Sequence, residues 1–267
     1  MRHCARAWPT TPSGGRCCST HARQRGNGAT GQFRGEVYAI VAQPFGVVGP
    51  ALQGTDQWCD VLMLHLNVKT CRGQGGGAAS TLILAVGRKF DQPCGEAFQI
   101  DFAYRVMVNQ ADYLQVTLGA AAGPMDTKDY RISFEATPLD ATTTFVHLSY
   151  AYSYGMAARI AMAAYLATIG HDKVGFSIVS HGSDGAPVYL AGMRGAVERN
   201  TMRYHLAVEA YLGALALPTA QRPEQRLRNW FDAVERYPRQ LHELAREEYL
   251  AMKHRELAQR KALAEKP

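Results

Sequence analysis

An α+β fold, with an antiparallel sheet laid down first and a long helix behind it, is predicted by three observations on the 267-residue chain. Between Glu36 and Tyr154 apolar residues recur at every second position, in runs separated by short turns rich in Gly, Pro, Asp and Thr. After Gly155 the spacing becomes helical, most extensively in "RGAVERNTMRYHLAVEAYLGALAL" (194–217). Apolar residues make up 47% of the chain, enough to build a sizeable core.

The elements follow in order. "EVYAIVA" reads as a strand, and "PFGVVGPALQGTDQWCDVL" as a short or broken helix, because Gly49 and Pro50 interrupt its helical spacing. "LHLNVKTC" alternates, with Leu64, Leu66 and Val68 on one face and His65, Asn67, Lys69 and Cys71 on the other, which predicts a half-buried strand. "RGQGGGAAS" lacks the spacing of a phosphate-binding loop and joins two strand-like runs, so it is read as a hairpin loop. "STLILAVGRKF", "FQIDFAYRVMV", "DYLQVTLGA", "DYRISFEATPL" and "TTFVHLSYAYSY" complete the sheet. Their inward faces carry Phe102, Tyr104, Val106 and Val108, then Tyr130, Ile132 and Phe134, then Val146, Leu148, Tyr150, Tyr152 and Tyr154.

"MAARIAMAAYLAT" is apolar nearly all round and predicts a buried helix. "KVGFSIV" and "PVYLAGM" flank a hairpin, after which 194–217 forms the long helix. Its polar stripe of Arg194, Glu198, Thr201, His205 and Glu209 reads as a surface face, with Arg194 and Glu198 as an i,i+4 pair. Pro218 and Pro223 mark a break. An amphipathic helix carrying Leu227, Trp230, Phe231 and Val234 ends before Pro238, and "RQLHELAREEYLAMKHRELAQRKALA" is a last helix. Leu241, Leu244, Ala245, Tyr249 and Met252 would pack on the domain or dock a partner.

The net charge of +6 sits in the head. Residues 1–35 hold Arg2, Arg6, Arg16, Arg23, Arg25 and Arg34 and no acid, which accounts for the whole surplus of 29 basic over 23 acidic residues. The body is neutral, so the basic balance does not predict a nucleic-acid surface. Residues 1–34, rich in Ser, Thr and Gly and poor in aliphatic side chains, are expected to be disordered. They lack the apolar stretch of about 7–15 residues of a secretory signal. Their composition is that of an organellar transit peptide, or of a stretch read from a misplaced start or a shifted frame. No run approaches the roughly 18–20 apolar residues of a membrane span. The best, "YGMAARIAMAAYLATIG", is short and interrupted by Arg159, so only peripheral membrane contact is open to the chain.

In sequence order, "GEVYAIVAQPF", "WCDVLMLHLNVKTC", "DYRISFEATPLD", "TFVHLSYAYSYG" and "RGAVERNTMRYHLAVEAYL" resemble a bacterial branch of the START-related (SRPBCC) lipid-binding superfamily that lacks a settled biochemical activity. The resemblance covers roughly residues 35 to 255. It implies a helix-grip fold, in which a curved antiparallel β-sheet wraps a long C-terminal helix around a mostly apolar cavity, here with extra C-terminal helices. It also implies an exported or periplasmic location, since relatives often begin with a secretion signal that this N-terminus lacks. The expected layout is a START-like domain over 35–217 and a helical extension over 218–267, with 194–217 rather than 155–169 as the gripped helix.

The expected function is non-covalent binding, for transport or sequestration, of a hydrophobic small molecule such as a lipid or polyketide-like compound. Tyr104, Tyr130, Phe134, Leu148, Tyr150 and Tyr152 are the candidate cavity wall, with His65 and Arg194 as polar anchors. Arg203 is an alternative receiver of a carboxylate or phosphate through its guanidinium fork. Ordinary core packing is the competing role for the aromatic set, and a solvated strand face the competing role for His65, Asn67 and Lys69. No cofactor and no metal is expected. A zinc site from Cys59, His65 and Cys71 fails because an extended strand separates His65 from Cys71 by about 20 Å. A Cys59–Cys71 disulfide is expected only if the chain is exported. Catalytic signals are thin: "GFSIVSHG" lacks the second glycine of a GxSxG elbow, and Ser180 and His181 point to opposite strand faces. His147 with Glu135 is the one acid/base pair that a cyclase- or hydrolase-like enzyme could use.

Overall fold

The period-two runs pair into one antiparallel sheet. The computed structural model describes residues 16–25, 31–76, 80–168 and 170–264. Among these the sheet comprises β1 (Arg16–Arg25), β2 (Gly31–Val41), β3 (Val68–Gln74), β4 (Ser80–Val86), β5 (Phe98–Asn109), β6 (Leu114–Ala122), β7 (Thr127–Pro138) and β8 (Thr144–Tyr154), in the order β1-β2-β8-β7-β6-β5-β4-β3. Registers such as Val37↔Leu148, Leu148↔Phe134 and Phe134↔Val116 stack the alternate apolar residues on one face. Between β2 and β3 lie α1 (Phe45–Ala51) and α2 (Thr55–Leu62); Gly49 and Pro50, expected to shorten or break the helix, lie inside the short α1, and the interruption follows Ala51. After β8 come α3 (Met156–Ala167), a hairpin of β9 (Ile178–His181) and β10 (Pro187–Tyr189), α4 (Gly192–Leu212), α5 (Arg222–Glu235), the single turn α6 (Pro238–Leu241) and α7 (Arg246–Ala264).

The gripped helix is α4, which makes this a helix-grip α+β fold. It lies against β2 at Gly35, where a Cβ would collide with Thr201 Oγ1 and stand 3.0 Å from Val197. Only glycine lets strand and helix approach so closely. The stripe expected on the surface is buried instead: Glu198, Thr201, His205 and Glu209 are all inside, and Arg194 alone is exposed. No Arg194–Glu198 pair forms. The Glu198 carboxylate accepts from the backbone N–H groups of Phe176 (2.7 Å) and Ser177 (3.0 Å) and from Ser177 Oγ (2.5 Å). The segments that follow α3 and α4 surround α4, and i,i+4 spacing cannot report their arrival.

Three further expectations change. Residues 16–25, expected to be disordered, form a strand along the free edge of β2, because a backbone ladder needs no apolar side chains; residues 1–15 and 26–30 lie outside the described residues. The run 64–67 is a turn rather than strand, so β3 starts only at Val68, and His65 and Lys69 are buried instead of solvated. Finally, α5 and α7 are not an appendage beyond 217: Leu227, Trp230, Phe231, Tyr249 and Met252 belong to the same apolar cluster as Phe134 and Leu148. The sequence signal was there, since these are the apolar stripes read above, but it could not say what they pack on.

Two buried lysines dock α7. Lys253 Nζ donates to the carbonyls of His65 (2.7 Å) and Val68 (3.0 Å) and to Glu256 Oε2 (2.7 Å), while Lys69 Nζ reaches Glu256 Oε1 (3.0 Å) and the carbonyls of Leu66 and Phe90. The disulfide Cys59–Cys71, with Cα atoms 5.3 Å apart, ties α2 to β3 across the same turn. Among the described residues Cys94 is a free thiol.

Truncation after Ala220 should abolish cooperative unfolding and near-UV circular dichroism, because it strips Trp230 and Tyr249 from the core; a folded, soluble fragment would show that the last helices are dispensable. A second expectation follows from Lys253. Burial lowers its pKa from 10.5 to about 8, against the raising effect of Glu256. Between those values the unfolded chain holds a proton that the folded chain has released, so the penalty on folding shrinks as pH rises. Relative to Lys253→Met, the native protein should therefore gain about 2 kcal/mol in urea denaturation between about pH 7 and about pH 9.5; a flat or opposite difference would contradict the sign.

Candidate functional site

A cavity of about 410 Å³ lies between the inner face of β7 and β8, the N-terminal half of α4, and α3. Strand alternation sends Tyr150, Tyr152 and Tyr154 of β8 to the same side as Tyr130 of β7, and all four rings line the space. The rings of Tyr130 and Tyr152 are stacked with centroids 5.6 Å apart, and Tyr150 stands 5.5 Å from Tyr152. Opposite them, α4 contributes Met193, Ala196, Val197, Arg199, Asn200 and Arg203. The lid is α3, with Ala158, Ala161, Met162 and Tyr165 turned inward. Contrary to expectation α3 is not a buried helix: Met156 is 51% and Ile160 63% exposed. Its alanines are too short to reach the tyrosines, which leaves the space between lid and sheet open instead of packed.

Of the expected wall residues, Tyr130, Tyr150 and Tyr152 line this cavity. Phe134 and Leu148 lie deeper in the core, where Phe134 meets the edge of Trp58 at 5.7 Å. Tyr104 is buried beside a second concavity of about 940 Å³ near Gly75 and Gly76. Arg194 lies outside the cavity; its guanidinium donates to the carbonyl of Ala22 on β1 at 3.3 Å. His65 is one step behind the wall. The amide N–H of Asn67 donates to Nδ1 (3.1 Å), which assigns the ring proton to Nε2 and makes that atom the donor to Asn200 Oδ1 (2.8 Å). The ring stacks on Tyr204 at 4.7 Å. Burial, reinforced by Arg203 and Lys253, pushes His65 well below its ordinary value of 6.5, so the ring is neutral at pH 7.

Asn200 is the hub of this wall. Besides bonding His65, its amide lowers the hydroxyls of Tyr150 and Tyr204 against the upward push of burial. Burial pushes the hydroxyls of Tyr130, Tyr150, Tyr152 and Tyr204 upward, so each is a neutral donor and acceptor.

One end of the cavity is basic. Lys89 Nζ lies 2.6 Å and Arg203 Nη2 2.7 Å from the same oxygen of Glu243. Lys89 also donates to Tyr165 Oη (3.2 Å), and Arg199 donates to the carbonyl of Val174 (3.4 Å). Arg203, the alternative anchor on sequence, lines the cavity. Lys89, Arg199, Asn200 and Tyr165 were missed as a set, because they come from three segments that sequence spacing does not relate. The only local signal was Arg199 and Arg203 at i,i+4 on one face of the long helix.

The expected acid/base pair is elsewhere. His147 Nδ1 meets Glu135 Oε2 at 2.7 Å and Nε2 lies 3.3 Å from Glu36, with the ring stacked on Tyr38 at 4.3 Å. This group sits on the opposite face of the sheet from Phe134 and Leu148, away from the cavity. Among the described residues no group of three or more His, Cys, Asp or Glu is placed to hold a metal ion, and no helix is long and apolar enough to cross a membrane.

These features define a class: a helix-grip α+β protein whose sheet and long helix enclose a half-aromatic cavity under a short helical lid. No protein-family profile matches the chain, and none of the curated proteins is similar to it in sequence. Among solved structures it is similar to norcoclaurine synthase from Thalictrum flavum, at 14% identity over 53% of this chain and 80% of that one, with a TM-score of 0.38. It is also similar to the Zhui aromatase/cyclase from Streptomyces sp. R1128, at 13% identity over 77% of this chain and 95% of that one (TM-score 0.35). A conserved protein from Geobacillus kaustophilus overlaps 51% of this chain and 86% of its own at 14% identity (TM-score 0.34). Likenesses of this degree say nothing of what this chain binds.

Replacing Asn200 by Leu should destabilise the protein by about 1–3 kcal/mol, since the buried Nε2 of His65 loses its partner. Urea denaturation measures it; a loss below about 0.5 kcal/mol would mean that Asn200 does not organise the wall.

Proposed function

We propose that the protein binds a hydrophobic small molecule non-covalently in the cavity under α3, and so transports or sequesters it. The observation that carries this reading is the cavity itself: about 410 Å³ faced by four tyrosine rings of the sheet on one side and by alanines and methionines of two helices on the other. That volume falls within the range of small-molecule sites. Stacked rings favour a flat, unsaturated or aromatic body, and burial of its apolar surface supplies the affinity at about 25 cal/mol per Å² before the costs of association. Lipids and polyketide-like compounds fit this description. The sequence blocks shared with the bacterial START-related branch support the same reading, and the Cys59–Cys71 disulfide favours an oxidising compartment such as the bacterial periplasm.

A cyclase- or hydrolase-like activity has less support, because His147 and Glu135 face away from the cavity. A solely structural role would leave the space between α3 and the tyrosines unexplained.

Native mass spectrometry of the full chain, followed by denaturing extraction, tests the proposal. A stoichiometric lipid-like or aromatic adduct is expected. In Ala161→Trp, where an indole would fill the space under the lid, the adduct should disappear while the protein stays folded by near-UV circular dichroism. A clean mass that does not change on exposure to a broad lipid panel would overturn the reading.

A further inference from the structure

Three cations, Lys89, Arg199 and Arg203, converge on one end of the cavity. Arg199 and Arg203 are almost wholly buried, and a guanidinium does not give up its proton in a protein. The one carboxylate among them is Glu243, and a single oxygen of it serves both Lys89 and Arg203. The other nearby carboxylate, Glu198, is spent on the backbone of Phe176 and Ser177 and on the Ser177 hydroxyl. This end of the cavity therefore holds positive charge that the protein does not balance. Arg203 is also incompletely bonded: its Nη2 reaches Glu243 and the carbonyl of Leu241 (3.1 Å), but its buried Nε meets no hydrogen-bond partner among the described residues.

A buried guanidinium without full compensation costs free energy, and an anion placed beside it recovers that cost. Burial lowers Arg203, Arg199 and Lys89, the last to about 8; the neighbouring guanidinium groups add to this for Arg203 and Lys89, while Glu243 and Glu198 oppose it at Arg199. The opposite wall is a set of neutral tyrosines with no charge to offer.

We infer that the ligand is a hydrophobic acid whose carboxylate is received by Arg203, Lys89 and Arg199 while its apolar body lies along Tyr130, Tyr150 and Tyr152. This rests on the cavity being a ligand site, as proposed above. The unpartnered Nε–H of Arg203 can donate to one oxygen of a carboxylate, and Lys89 adds a point charge at the same end. Lys89 is one-quarter exposed on its side chain, so it can turn from Glu243 to the incoming acid without unpacking the core.

The test uses two probes with the same body, 1-pyrenebutanoic acid and 1-pyrenebutanol, titrated into the full-chain protein at neutral pH and followed by pyrene fluorescence. The acid should bind at least about tenfold tighter than the alcohol. In Lys89→Gln that preference should fall to about threefold or less, and in Arg203→Gln it should vanish. Should Arg203→Gln fail to fold, Lys89→Gln still decides the matter, since its side chain is partly exposed. Equal binding of the two probes by the native protein would overturn the anionic ligand while leaving the cavity reading intact. Binding of neither would overturn both. An acid preference that survives in Lys89→Gln and in a folded Arg203→Gln would remove these residues from the site.

Discussion

The structure depends on one constraint: α4, the helix the sheet grips, carries five ionisable residues inside the protein. Glu198, Arg199, Arg203, His205 and Glu209 are all buried. An unpaired buried charge is costly, so each dictates a neighbour. Glu198 fixes the chain at Phe176 and Ser177, Arg199 holds the carbonyl of Val174, and Arg203 draws in Glu243 and the carbonyl of Leu241. His205 and Glu209 face one another at 3.3 Å, with Arg236 3.9 Å from the carboxylate. The segments after α3 and after α4 thus serve as the polar lining of a helix that a smaller domain would leave in water.

The same demand shapes both ends of the molecule. On one side α7 brings Lys253 and Glu256 onto the turn at residues 65–68, and Lys69 completes a buried triad whose lysines also satisfy backbone carbonyls that the short start of β3 leaves unpaired. On the other side the compensation stops short. Lys89, Arg199 and Arg203 share Glu243, and beyond them the helix faces a cavity instead of another segment. The basic end and the apolar, tyrosine-lined body are consequences of one helix being covered by other segments along most of its length and left open along the rest.

Whether this space is filled or hollow is decided by side-chain length across it. Tyr130, Tyr150 and Tyr152 are held upright by each other, and Tyr150 also by Tyr204, whose ring stacks on His65. Opposite them α3 presents Ala158 and Ala161. A composition that reads as a core helix becomes a lid because its apolar residues are mostly small on the inner side, with Met156 and Ile160 outside.

By itself the sequence determined the pieces whose cause is local. Alternation assigned Phe102, Ile132, Phe134, Val146 and Leu148 to the inner face, because successive residues of a strand must point to opposite sides. Gly49 and Pro50 marked the first helix as short, and the length of 194–217 marked the gripped helix. Tyr130, Tyr150, Tyr152 and Arg203 were legible as cavity candidates on the same grounds. Only the tertiary structure decided the sides of the helices and the partners of the charges. The polar stripe of α4 looks like a surface because helical periodicity records where polar groups lie, not whether another chain segment will bring them hydrogen bonds. His65 and Lys69 likewise look solvated until α7, almost two hundred residues later, supplies the cover and the counter-charge. The basic end of the cavity, assembled from Lys89, Arg199, Arg203 and Glu243, exists only through contacts between segments far apart along the chain, and no local pattern encodes them.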